Sequence, residues 1–293
     1  MFYLFDWPYW SLYAIINKQK RHKDKRMGIE QKYDQLKKII SGYKRTIVAF
    51  SGGVDSTFLL KTCVDVLGKE NVMAFIGQSP TCPAREIEEA KKLSALIGVE
   101  YIIEKTSEME DSDFVRNDKL RCYYCKNHLF RKAWEIAEKG RFLHVVEGSN
   151  LDDTYDYRPG RKACLEQGIA SPLLMAELTK NDIRELSRQL HLPTHDKPAF
   201  ACLSSRIPYG IPIMIETLEK IELSEDFIRG LGIRQVRVRY HGSVARIEVA
   251  NNEINKVFES KDEIAEALQN YGFFYITLDL QGYRTGSMNK PLI

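Results

Sequence analysis

Residues 47–57, Ile-Val-Ala-Phe-Ser-Gly-Gly-Val-Asp-Ser-Thr, limit the chemistry of this chain more than any other stretch. Residues 47–50 read as a buried strand. Ser51, Gly52 and Gly53 form a turn that lets backbone approach a ligand closely. Ser56 and Thr57 suit a helix start ahead of Phe58, Leu59 and Leu60. A strand, a glycine turn and a helix N-terminus make an anion site, because unpaired N–H groups and the helix dipole point at a bound phosphate. The hydroxyls of Ser51 and Ser56 add donors. No lysine follows the glycines, which excludes the Gly-x-x-x-x-Gly-Lys nucleotide loop, and the spacing is not that of the dinucleotide fingerprint.

Thiols supply the second chemistry. Cys122 and Cys125 form a Cys-x-x-Cys pair, open to three readings: a redox pair, half of a zinc site, or half of an iron–sulfur site. Cys202 lies in a proline-rich loop, where packing gives no reason for a cysteine. Three thiolates suit a [4Fe–4S] cluster with one iron left open. Zinc would want a fourth ligand, from His128 or His195, and unrelated surface thiols are the bland alternative. Cys63 and Cys164 fall on apolar helix faces and read as core, and Cys82 beside Pro83 reads as structural.

The elements that must position these groups alternate as strand and helix. Helical spacing covers 29–43, then the strand and turn above, then a helix to about Leu67. Strands are expected at 72–76, 100–104 and 142–147, and helices at 83–97 and 122–138. Such alternation argues an α/β fold, a parallel sheet covered by helices, with ligands at the carboxyl ends of the strands. Gln78 and Gly148 would gather there with the first loop. Thr179 and Asp182 resemble a capping box for a helix at 179–190. Residues 192–212 hold four prolines and read as a functional loop and a hinge. A smaller α+β unit follows: a helix at 215–229, a hairpin of 235–240 with 246–249, a helix near 254–271 and a strand at 273–280. On 235–240, Val236, Val238 and Tyr240 share one face and Arg237 and Arg239 the other, a pattern that commonly means a solvated face.

Composition sets outer limits. The chain has 293 residues, 44% hydrophobic and 28% charged, enough for one large or two smaller domains. A net charge of +3 gives no whole-protein signal for nucleic acid. Six cysteines are too few and too unevenly spaced for a secreted disulfide framework, which points to a reducing, cytoplasmic setting. Residues 1–27 are aromatic and then basic, too short in their apolar part to span a bilayer. They read as a poorly ordered extension ahead of domains at 28–200 and 201–293.

Several stretches agree on one family. The Ser-Gly-Gly-Val-Asp-Ser loop resembles that of the PP-loop ATP pyrophosphatases, which split ATP between the α and β phosphates. Residues 148–153, 156–160, 171–173, 197–210, 237–239, 245–249 and 278–289 are together similar to the LarE family of ATP-dependent sulfur transferases. The resemblance implies ATP and Mg²⁺ as cofactors and pyridinium-3,5-biscarboxylic acid mononucleotide as substrate. Its carboxylates are adenylated and converted to thiocarboxylates for the nickel-pincer nucleotide cofactor of lactate racemase. Some members sacrifice the sulfur of one cysteine. Others carry three, matching Cys122, Cys125 and Cys202, which hold a [4Fe–4S] cluster fed by sulfide or another sulfur donor, and this chain has all three.

By position, the resemblance implies that Ser51, Gly52, Gly53, Val54, Asp55 and Ser56 hold the ATP phosphates, with Asp55 near Mg²⁺. Ser205, Arg206, Arg237 and Arg239 take the substrate phosphate, and Lys126 serves the acyl centre. Asp152 and Asp153 assist Mg²⁺, and Glu225 and Glu248 match positions linked to metal between subunits of a homo-oligomer. No nucleic acid or membrane partner is expected. The competing readings are a PP-loop tRNA thiolase, an NAD or GMP synthetase, and an ATP-binding sensor without chemistry.

Overall fold

The structure, a computed structural model, describes residues 27–155, 159–198 and 201–284. Residues 1–26, with the extension expected there, lie outside the described residues, as do Asp156, Tyr157, Arg158 and the Thr285–Asn289 end of the family-like terminal stretch.

Helix α1 (Ile29–Ser41) leads into β1 (Thr46–Ala49), α2 (Val54–Leu67), β2 (Val72–Gln78), α3 (Ala84–Ile97) and β3 (Glu100–Lys105). Then come α4 (Ser112–Val115), α5 (Arg121–Gly140), β4 (His144–Val146), α6 (Gly160–Glu166), α7 (Pro172–Met175) and α8 (Lys180–Gln189). The four strands pair in parallel in the order β3-β2-β1-β4, with Val48 opposite both Ala74 and Val146. The chain runs outward from β1 to β3 and then returns to set β4 on the other side of β1. At such a reversal the loops leave the sheet in opposite directions and open a crevice at the strand ends. Here the loops are those after β1 and β4.

Both faces of the sheet are covered, which is why its inner strands β1 and β2 are mostly apolar, while the edge strand β3 carries Glu100, Glu104 and Lys105. On one face Phe58, Leu59, Leu60 and Cys63 of α2 are fully buried, packed with Leu36 and Ile40 of α1 and Ile183 and Leu186 of α8. A helix pressed from both sides needs apolar residues all round rather than a stripe. On the other face Ile47, Phe75 and Val145 meet Phe130, Ala133 and Ala137 of α5, spaced at i, i+3 and i+7.

The second unit holds α9 (Ile215–Gly230), β5 (Val236–His241), β6 (Val244–Val249), α10 (Ile254–Glu259), α11 (Lys261–Asn270) and β7 (Tyr275–Leu278). β5 and β6 are antiparallel, and β7 adds in parallel to β6. The single helix expected near 254–271 is two helices, parted at Ser260. The break lets Val257 of α10 and Ile264 and Leu268 of α11 reach one core. The loop read as a hinge is packed in part: Leu203, Ile207 and Ile213 join Phe114, Leu218 and Ile221 in a buried cluster. Among the described residues no helix is long and apolar enough to cross a membrane.

Candidate active site

β1 passes directly into the glycine turn, where the Phe50 N–H donates to the Phe75 carbonyl at 2.8 Å. Gly52 has φ +67°, and a Cβ there would also stand 3.4 Å from that of Ala90, so the position needs glycine. Helix α2 begins at Val54 with Gly53 as N-cap, two residues before the expected Ser56 start. The extended backbone of Gly53 already ends the turn, and its carbonyl accepts the Thr57 N–H at 2.9 Å. Ser56 Oγ thus sits inside the first turn, 3.1 Å from Ser51 Oγ. Asp55 pairs with Lys180 at the start of α8, while its Oδ1 is buried without a hydrogen-bond partner. Lys180 escaped the sequence reading, yet a signal was present: the Thr179–Asp182 capping box, formed as expected, fixes Lys180 as the first helical residue. Lys197 also reaches this loop, its Nζ bonding Gly52 O at 3.1 Å, Glu86 Oε2 at 2.9 Å and Glu89 Oε2 at 2.8 Å.

The loop after β4 presses on the same helix end. A Cβ on Gly148 would stand 3.1 Å from the Ser56 nitrogen and 3.3 Å from the Asp55 carbonyl carbon, both backbone atoms. Gly148→Ala should therefore push the first turn of α2 away, costing about 1–3 kcal/mol and weakening ATP binding roughly tenfold. Calorimetric titration of ATP checks this, and unchanged affinity would show that the contact does not set the loop.

These loops open on a cavity of about 790 Å³. Its wall contains Ser51, Gly53, Asp55, Ser56, Lys126, Gly148, Cys122, Cys202, Ser205, Arg237 and Arg239. Residues far apart in sequence and drawn from both units therefore meet in one space. Gln78 does not join them: it is exposed at the end of β2, opposite Lys105, while Phe75, Ile76 and Gly77 of β2 line the wall.

Cys122 stands in the first turn of α5, and Cys125 lies one turn on, packed against the Leu203 and Ile207 cluster. Arg121 binds the two thiol segments together. Its buried guanidinium donates to Asn117 Oδ1 at 2.7 Å and to Ser204 O at 2.9 Å, and it lies 4.5 Å from the Tyr209 ring centroid. Burial raises the Cys122 pKa, Cys202 adds to the rise, and Arg121 opposes it. Burial raises Cys125 well above the usual thiol range, with Glu108, Cys202 and Cys122 adding to it. Cys122 and Cys125 thus lie within electrostatic reach of Cys202. Among the described residues no three Cys, His, Asp or Glu side chains stand gathered to hold a metal ion.

The histidines offered to zinc are elsewhere. His128 Nε2 is 2.9 Å from Asp111 Oδ2, and His195 Nδ1 is 3.0 Å from the Leu192 carbonyl, neither of them in the cavity wall. Cys63 is core as expected, but Cys164, though buried, also lines the cavity. Cys82 lines it too, its pKa pushed up to about 12 by burial and then by Glu86 and Cys202.

The arginines divide by depth. Arg206, expected at the substrate phosphate, is fully buried and absent from the cavity wall. Its Nε and Nη2 donate to the two oxygens of Glu225 at 2.8 and 2.9 Å, and its Nη1 donates to Cys202 O at 2.9 Å. Its fork is spent on shaping the thiol loop. Arg237 and Arg239 do line the cavity and are only 6% and 5% exposed, so theirs is not a solvated face. Arg239 donates to Glu248 Oε2 through Nε at 3.0 Å and Nη2 at 2.8 Å, and to the Ser205 carbonyl at 2.9 Å. Burial, and then the charge of Arg206, pushes the Arg237 pKa down to about 10. A guanidinium so placed makes its surroundings favourable to an anion. Glu225 and Glu248 are both fully buried under arginines, not presented to another subunit. Asp153 lines the cavity, whereas Asp152 accepts the Lys180 N–H at 2.8 Å.

The NAD synthase family model matches residues 29–121. The chain is 39% identical to uncharacterized protein slr1717 of Synechocystis sp., over 90% of this chain and 99% of that protein. It is 36% identical to the pyridinium-3,5-bisthiocarboxylic acid mononucleotide synthase of Lactiplantibacillus plantarum, over 85% of this chain and 90% of the relative. Uncharacterized protein MJ0830 of Methanocaldococcus jannaschii is 31% identical, with 83% and 92% covered.

Proposed function

The chain belongs to the family of pyridinium-3,5-bisthiocarboxylic acid mononucleotide synthases, and from that premise we propose that it is an ATP-dependent sulfur transferase acting on pyridinium-3,5-biscarboxylic acid mononucleotide. The observation that carries the reading is the single cavity shared by the glycine loop, two of the three thiols and two buried guanidiniums. ATP enters at the glycine loop. A substrate carboxylate oxygen attacks the α phosphorus, the α–β bond breaks, and pyrophosphate leaves. Sulfur then attacks the acyl carbon and AMP leaves, giving a thiocarboxylate. Adenylation is needed because a carboxylate repels a thiolate and its oxygen leaves badly, and holding both partners in one cavity removes the cost of meeting. Two rounds give the bisthiocarboxylic product for the nickel-pincer nucleotide cofactor of lactate racemase.

The backbone N–H groups of 51–56 hold the ATP phosphates, aided by the hydroxyls of Ser51 and Ser56. Asp55 is fit to hold Mg²⁺, since its Oδ1 is buried and lacks a hydrogen-bond partner. Arg237, Arg239 and Ser205 take the substrate phosphate, where a planar guanidinium can offer paired donors. Lys126 offsets charge near the acyl group. Cys122, Cys125 and Cys202 would hold a [4Fe–4S] cluster, a reading that rests on three soft sulfur donors, Cys122 and Cys202 in one cavity wall and Cys125 a turn from Cys122 on α5. The chemistry such a cluster supplies is an exchangeable sulfur at its open iron, drawn from sulfide or another donor. Free thiols of this kind belong in a reducing cytoplasm.

The test is anaerobic purification, assay of iron, zinc and sulfide, and turnover with the biscarboxylic nucleotide, ATP, Mg²⁺ and sulfide. Cys122→Ala and Cys125→Ala are each expected to abolish repeated turnover, and unchanged cycling in either would remove the cluster from the account. Arg237→Ala should raise the Kd of the nucleotide substrate about tenfold or more while ATP binding holds. Equal loss of both would point to misfolding.

A further inference from the structure

Cys82 has no part in the proposed reaction, yet it shares the cavity wall with Cys202. The residue before it, Thr81, accepts at its carbonyl the N–H of Leu203, the residue after Cys202, at 2.8 Å. Backbones joined by such a bond run about 5 Å apart, a separation that a disulfide spans. Both segments are pinned. The Cys82 N–H donates to Ser79 O at 3.0 Å and the Thr81 N–H to Ser79 Oγ at 3.0 Å. Across from them, Cys202 O accepts from the Ser205 N–H at 3.0 Å and from Arg206 Nη1 at 2.9 Å. Cys122 and Cys125 reach the Cys202 loop differently, through the Arg121 side chain, with no such backbone bond among those described. Neither Cys82 nor Cys202 is in a disulfide in this structure.

We propose that Cys82 is the resolving thiol of Cys202, and that the two form a reversible disulfide when a peroxide reaches the cavity of the metal-free protein. The Cys202 sulfur attacks one peroxide oxygen, the O–O bond breaks and a sulfenic acid forms, and the departing hydroxide takes the Cys202 thiol proton to leave as water. The second sulfur attacks that sulfenic sulfur, the S–S bond forms and the S–O bond breaks. The departing hydroxide and the proton of the second thiol make water. Two thiols lose two electrons in total, and the peroxide takes them. The product withdraws Cys202 from the other thiols and spares it the irreversible sulfinic and sulfonic acids.

The experiment uses reduced full-length protein, stripped of iron and zinc and free of ATP and substrate, so that its outcome is independent of the sulfur-transfer reading. Two equivalents of hydrogen peroxide are added, enough to carry one thiol to the sulfinic acid, free thiols are alkylated, and peptides are mapped without reductant. The expected result is a main cross-link between the peptides carrying Cys82 and Cys202, dissolved by dithiothreitol. In Cys82→Ser the same treatment should carry Cys202 on to the sulfinic acid. A main link from Cys202 to Cys122 or Cys125 in the wild-type protein, or sulfinic acid at Cys202 with no link, would overturn the proposal, and neither reading depends on the variant folding.

Discussion

Replacing Arg206 by alanine is expected to destabilise the protein by about 3–5 kcal/mol, the cost of breaking a buried ion pair and stranding its partner. The pair is fully buried on both sides, with two hydrogen bonds between guanidinium and carboxylate. Glu225 also accepts the Val238 N–H at 3.0 Å and Arg229 Nη2 at 2.9 Å. The removal would therefore disturb the thiol loop, α9 and β5 together. Arg206→Lys should recover only part of the loss, because an ammonium lacks the planar fork. Urea unfolding followed by circular dichroism reads the effect, and a loss below about 1 kcal/mol would place the pair among weak surface contacts.

The same pair sets a pH dependence. Burial acts to raise the Glu225 pKa, but the guanidinium of Arg206 outweighs it and holds the carboxyl near 2 instead of its ordinary 4.5. A depressed folded-state value means stability that is full above the unfolded pKa and is lost as pH falls through the folded one. The window is thus pH 4.5 down to about 2, worth on the order of 3 kcal/mol. Glu225→Gln should flatten that acid limb, and an unchanged slope would assign it to other carboxylates.

The second large effect concerns Cys202. Cys202→Ser should leave substrate-dependent pyrophosphate release in place and cut thiocarboxylate formation by about a thousandfold or more, the scale seen when a group essential to the chemical step is removed. The change keeps the backbone carbonyl that Arg206 grips, so the loop retains its anchor. Pyrophosphate assay and mass spectrometry of the nucleotide separate the two half-reactions. Loss of both together would mean that Cys202 serves the loop's shape and not the sulfur step.

Much of this site was legible because its signals are local. The glycine turn, the capping box at Thr179 and the alternation of 236–240 each declare themselves within a few residues, and each appears in the structure. Depth was not legible. Arg206 and Arg237 look alike in sequence, and only packing against α9 decides that one is consumed by Glu225 while the other faces the cavity. Gln78 was misplaced because the strand carries it to an exposed end, beyond the β2 residues that line the cavity. Lys180 was missed for the opposite reason: it meets its partner Asp55 across a long sequence gap.

The grip of Lys197 on Gly52 has one more consequence. That lysine holds Gly52 O while pairing with Glu86 and Glu89 of α3, so the turn is moored to a neighbouring helix by one side chain. Lys197→Met would leave the residues of the turn chemically intact and yet unmoored, an enzyme whose hold on phosphate slackens before its chemistry is touched.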